Sequence, residues 1–113
     1  MHELSIVMNI IDIVDREVAQ AGGGKVEDVE LDIGRLSTVQ MEAFDFAWQQ
    51  GVRNTILQDA GLTVNHIDGG AHCNDCDANF RVDEVFDPCP ACNGHFIRIT
   101  AGKELRVRSL TII

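Results

Sequence analysis

The chain contains no tyrosine, one tryptophan and two prolines among its 113 residues. It has no serine elbow, and every cysteine falls in a paired motif, so covalent catalysis has no candidate. Basic residues are scarce, nine Lys and Arg against 18 Asp and Glu, a formal net charge of -9. That balance repels phosphate backbones and anionic lipid surfaces, and it suits cations and basic protein patches. No stretch is long or apolar enough to span a bilayer. The first residues lack a basic n-region, and the apolar run from Leu4 to Val14 is broken by Asn9 and Asp12, so no secretory signal is expected. A cytosolic protein follows, and four cysteines in a reducing compartment point to metal rather than disulfides.

What is present fits one domain with a small appendage. A 45% hydrophobic composition supplies a core, although a chain this short gains from a metal staple. Residues 4–21 predict an amphipathic helix: Leu4, Val7, Met8, Ile11, Val14 and Val18 recur every three or four positions, and Ile6, Ile10 and Ile13 widen the face. Gly22-Gly23-Gly24 stops it. The same glycines follow a helix and lack the Lys-Ser ending of a phosphate loop. Residues 26–34 predict a strand, with Val29, Leu31 and Ile33 opposite a wet side of Glu30 and Asp32. Ser37 followed by Gln40 resembles a capping box, so a second helix is expected from Ser37 or Thr38, with Met41, Phe44, Ala47 and Trp48 inward and Glu42 and Asp45 on a solvated face.

Further strands are expected at 62–67, at Asn79–Asp83, at Phe96–Thr100 and at 104–112. The last carries apolar residues on both faces, which suggests a strand that is central or half-covered on each side. Gly69-Gly70 reads as a hinge. The resulting fold class is α+β: a small three-stranded sheet (26–34, 62–67, 104–112) with two helices on one face, carrying an inserted zinc-ribbon domain. The division is 1–70 plus 101–113 for the α+β domain and 71–100 for the ribbon.

The strongest chemical signal is Cys73-Asn-Asp-Cys76, twelve residues, then Cys89-Pro-Ala-Cys92. Each C-x-x-C turn can aim two thiolates at one ion, and two turns close a tetrahedral S4 site with no open position, which means a structural zinc. The rival readings are two disulfides, a redox pair, and a rubredoxin-type iron site, whose colour an absorption spectrum would reveal. Pro90 stiffens the second turn, and Gly94 is the expected left-handed residue after it. Segment 71–100 holds Arg81 and Arg98 against Asp75, Asp77, Asp83, Glu84 and Asp87, which disfavours a nucleic-acid face and favours a scaffold or a protein-docking ribbon.

Met1-His2-Glu3 is the second candidate. A histidine in second position can chelate through its Nδ1, its own amide nitrogen and the terminal amine. Those three nitrogens lie in one plane, which suits square-planar Ni(II) or Cu(II). A fourth donor is needed; Glu3, His66, His72, His95 and another chain are the options. The opposing reading is an exposed, inert histidine in a zinc-ribbon adaptor or nucleic-acid-binding module.

The start Met1-His2-Glu3-Leu4-Ser5 with the helix after it, Ile33-Gly34 with Ser37, the Glu42 and Phe44 region and the ordered cysteines together resemble the HypA/HybF family of nickel metallochaperones, over essentially the whole chain. The resemblance implies a non-catalytic carrier. It implies nickel at His2 with Met1 and Glu3, structural zinc at Cys73, Cys76, Cys89 and Cys92, and work with a nickel-pathway GTPase. Delivery would be to the large subunit of [NiFe]-hydrogenase and, in some organisms, to urease.

Overall fold

A computed structural model describes residues 2–113. Two helices, α1 (Glu3–Gln20) and α2 (Met41–Gly51), accompany six strands: β1 (Val26–Gly34), β2 (Gly61–Ile67), β3 (Gly69–Cys73), β4 (Asn79–Val82), β5 (Ile97–Ala101) and β6 (Leu105–Ile112). The strands form two three-stranded sheets, ordered β2-β1-β6 and β4-β3-β5. The α+β class and the first sheet agree with the sequence reading. The chain divides into two compact units. The first comprises the N-terminal stretch through Leu31, then Val39–Asn65 and Arg106–Ile113; the second comprises Asp32–Thr38 and His66–Leu105.

In the first unit, α1 buries Val7, Ile10, Ile11, Val14 and Val18. Fully burying an aliphatic side chain is worth roughly 1.5–3 kcal/mol, so this stripe holds the helix in place. The stripe is narrower than its periodicity suggests: Leu4 and Met8 are 55% and 50% exposed, and Ile13 also faces solvent. The helix ends in a Schellman pair, with the Gly23 N–H donating to the Val18 carbonyl (2.9 Å) and the Gly22 N–H to Ala19 (3.2 Å). Gly22 holds φ +93°, which only glycine adopts freely. Helix α2 packs on α1 and buries Phe44, Ala47 and Trp48, the two rings 6.0 Å apart.

Helix α2 begins at Met41, later than Ser37 or Thr38. Gln40 is its N-cap and no side chain caps it. Thr38 sits at φ +66°, outside helical space, so Ser37 cannot start a helix through it.

Strand β1 is the central strand and β6 an edge, so of the two positions suggested by the apolar faces of 104–112 the central one does not hold. Ladder position depends on pairing partners, which alternation does not encode. The expected wet side of β1 also fails at Asp32, which is fully buried. Side-chain pairs Thr63 with Asp28 and Asn65 with Glu30 keep one constant offset, so β2 runs parallel to β1 with α2 in the crossover. Reciprocal bonds between Lys25 and Ile113 (2.9 and 2.8 Å) set β6 antiparallel. Glu30 ties the sheet together, accepting from Asn65 Nδ2 on one side (2.7 Å) and Ser109 Oγ on the other (2.9 Å).

In the second unit, β3 lies between β4 and β5 and pairs antiparallel with both. Gly69 and Gly70 are part of β3, not a hinge: Gly69 pairs with Val82 and Gly70 with Arg81. The reason for glycine is close approach. A Cβ at Gly69 would collide with the Val82 carbonyl oxygen and come within 2.9 Å of Leu36 Cδ1. Gly69→Ala should therefore cost about 2–3 kcal/mol, read as a lower denaturation midpoint at unchanged slope. A parent-like midpoint would show that the strands can separate freely at this position.

Candidate metal centre

Each C-x-x-C pair sits on a backbone turn built the same way. Around the first, the Asp77 N–H donates to the Cys73 carbonyl (2.9 Å) and the Cys73 N–H to Ala78 (2.8 Å). Around the second, the Asn93 N–H donates to Cys89 (2.7 Å) and the Cys89 N–H to Gly94 (2.8 Å). Asp77 and Asn93 occupy the left-handed region at φ 62° and 60°. The chain thus reverses at Asp or Asn, residues whose short polar side chains tolerate αL. Gly94 is not the left-handed residue expected from the sequence. Its lack of a side chain makes room instead, because a Cβ there would lie 3.0 Å from Asp75 Oδ2 and 3.3 Å from Cys92 Sγ. The repeat of Asp or Asn directly after the second cysteine of each pair was the available signal for these two turns.

The two turns bring all four Sγ atoms within 4.8 Å of one another. The Cys73–Cys92 and Cys76–Cys89 separations are both 3.6 Å, and none of the four is in a disulfide. Four sulfurs around one ion at the Zn–S distance of ~2.3 Å would lie ~3.8 Å apart, so the cluster needs little adjustment to hold a tetrahedral ion. Cys73 and Cys89 are buried, Cys76 and Cys92 exposed.

Proton affinities in the cluster diverge. The Ala78 N–H draws the Cys76 thiol down, but its hydrogen bond with Cys89, burial and the remaining thiols push it up to about 12. At Cys89 the Cys92 N–H, with that of Ala91 and the sharing thiols, outweighs burial and brings it down to about 7. Cys92 is raised: the Gly94 N–H lowers it, yet the Cys73 thiol and burial prevail. Cys89 therefore ionises before Cys76 and Cys92, the pattern expected where thiols crowd together. A divalent ion removes that conflict.

Of the N-terminal candidates, Met1 lies outside the described residues. His2 is exposed and occupies the N-cap of α1 at φ -88°, ψ 86°, with no side-chain capping bond. Glu3 is half-buried in the first turn, where its charge complements the positive helix end. His66 and His95 are exposed. His72 has both ring nitrogens engaged, Nδ1 with Asn79 Oδ1 (2.8 Å) and Nε2 with Asp77 Oδ1 (3.3 Å). Among the described residues the four cysteines form the one group of three or more potential metal ligands. Among the described residues no helix is long and apolar enough to cross a membrane.

Two helices, two small sheets and a four-cysteine cluster fit a small metal-handling protein. The chain belongs to the HypA family, described as hydrogenase/urease nickel incorporation metallochaperones, whose sequence profile matches residues 1–112. It is a nickel metallochaperone and maturation factor rather than an enzyme. Similar proteins include the hydrogenase maturation factors HypA of Parabacteroides distasonis, 38% identical over 99% of this chain and 97% of that protein. The HypA of Geotalea daltonii is 39% identical over the full length of both. The solution structure of the nickel metallochaperone HypA from Helicobacter pylori superposes at TM-score 0.74 with 26% identity, covering 100% of this chain and 98% of that one.

Proposed function

We propose that this chain carries Ni(II) on its first residues and uses a zinc ion at Cys73, Cys76, Cys89 and Cys92 to hold its second unit in shape. The nickel donors are the α-amine of Met1, the amide nitrogen and imidazole of His2, and Glu3 as a carboxylate neighbour. The observation that carries this reading is the state of His2. It is exposed, stands outside the helix at its N-cap, and spends no side-chain atom on capping. Its imidazole and amide nitrogen are therefore open to an ion. An unfinished ligand set also suits a carrier, because a receiving protein can displace the donors one at a time.

Functionally, 1–70 with 101–113 forms the nickel-binding domain and 71–100 the zinc ribbon. The compact unit around the cysteines draws in residues 32–38, 66–70 and 101–105 as structural support. The cargo goes to the large subunit of [NiFe]-hydrogenase, with urease as a second recipient, in concert with a nickel-pathway GTPase in the cytoplasm. Calorimetric titration of Ni(II) into the parent and into His2→Gln tests the site: equal affinities would refute it.

Zinc loading has its own signature. Cys76 and Cys92 hold protons in the metal-free cluster at neutral pH, since both are shifted upward, and thiolates are what bind the ion. Adding zinc to stripped protein near pH 7 should release about two protons or more per ion. Affinity should rise with pH, because fewer protons then compete with the metal. Calorimetry in buffers of different ionisation enthalpy reads the number directly. Loading without proton release would mean that the thiols are already ionised, or that other groups bind the zinc.

A further inference from the structure

Between the last residue of β4 and the first cysteine of the second knuckle lies Asp83-Glu84-Val85-Phe86-Asp87-Pro88. At its tip Phe86 is 72% exposed, and Val85 beside it is 46% exposed. Phe46 and Phe96 are each 66% exposed as well, so it is the support beneath Phe86, not its exposure alone, that marks it. The turn is also well fixed. Asp87 Oδ2 accepts the Asp83 N–H (2.9 Å) and the Glu84 N–H (3.1 Å), and the Asp87 N–H donates back to the Glu84 carbonyl (3.2 Å). Both ends are anchored, one by buried Val82 in β4 and the other by buried Cys89 in the metal centre. The chain therefore presents Phe86 on a pre-formed support, which lowers the entropy lost on binding.

Two further features lie at the same place. Arg35, Leu36, Thr38, Asp83, Glu84 and Val85 line an open groove of about 280 Å³ next to the turn. Leu36 and Val85 give the lining apolar surface and Asp83 and Glu84 give it carboxylates, which match the stem and head of a lysine or arginine. Thr38 in that lining is a β-branched residue at φ +66°, a conformation costing of order 1–3 kcal/mol that tends to persist where a binding surface needs it. Carboxylates outnumber cations here: Asp68, Asp83, Glu84 and Asp87 stand against Arg35 and Arg81. Arg81, the basic residue beside them, is 4.0 Å from Asp83 and also 3.7 Å from Asp68. Arg35 in the groove is bound to Asp68 at 2.7 Å.

We propose that this turn is a docking knob: Phe86 inserts into an apolar socket on another protein whose rim carries lysine or arginine, one of which lies along the groove between Leu36 and the Asp83 and Glu84 carboxylates. The proposal rests on the metallochaperone reading and adds where a partner protein grips the carrier. Aromatic anchors in such positions commonly dominate an interface, and a charged collar sets approach and orientation.

The test uses the full chain in cells whose own copy of the gene is deleted, with hydrogenase activity and nickel content as readouts. Phe86→Ser should lower both about tenfold or more. Purified Phe86→Ser should bind nickel like the parent and keep one zinc per chain. Asp83→Lys with Glu84→Lys should give a similar loss, and Phe86→Leu should retain most of the activity. A photoreactive phenylalanine analogue at position 86 should cross-link to a peptide of another protein containing apolar residues and a lysine or arginine. Parent-like maturation by Phe86→Ser, or cross-links only to a second copy of this chain, would overturn the docking knob. Parent-like maturation by His2→Gln would instead overturn the nickel reading.

Discussion

Cys73→Ala should lose zinc and loosen the second unit while α1 stays folded. Cys73 is fully buried, ends the central strand β3, and its backbone makes both hydrogen bonds of the first knuckle. Structural zinc sites of this type contribute about 10–16 kcal/mol of binding energy. Shared over four sulfurs, one thiolate is worth about 3 kcal/mol, so zinc affinity should fall at least about 100-fold. Amide exchange should then accelerate across residues 66–105. It should stay slow in α1, whose buried stripe of Val7, Ile10, Ile11, Val14 and Val18 belongs to the other unit. Exchange that rises equally in α1 would show that the metal holds the whole fold rather than one unit.

The second large effect concerns His2. With the imidazole replaced by the amide of Gln, the chelate loses one of its three nitrogens and the six-membered ring it closes. Nickel affinity should drop about 100-fold by the same per-ligand arithmetic. Zinc content and thermal stability should be unchanged, because His2 is exposed and caps nothing with its side chain. A variant that binds nickel as before would place the ion elsewhere.

The cysteine site was readable in the sequence because metal ligation restricts spacing so tightly that two C-x-x-C pairs leave few alternatives. Helix α1 and strand β1 were readable for a similar reason: each buries one stripe, and a stripe has a period. What escaped depended on neighbours. Gly69-Gly70 looks like a hinge in isolation, yet the Val82 carbonyl and Leu36 side chain press so close that only glycine lets β3 form there. Ser37 has the right spacing for a cap, but Thr38 turns left-handed and defers the helix to Met41. The edge position of β6 and the burial of Asp32 follow from strand order, which no local pattern contains. At the N-terminus the exposure of His2 could be anticipated; the donor completing a nickel site could not, because His66, His72 and His95 are distant in sequence.

The central claim is that a free α-amine and the adjoining imidazole grip the same nickel ion. One additional residue ahead of Met1 converts that amine into an ordinary amide nitrogen and leaves every side chain in place. Calorimetric Ni(II) titration of the extended chain beside the native one is the most direct test. The account predicts tight binding by the native protein and its loss in the extended one, with zinc retained in both; equal nickel affinity in the two would contradict it.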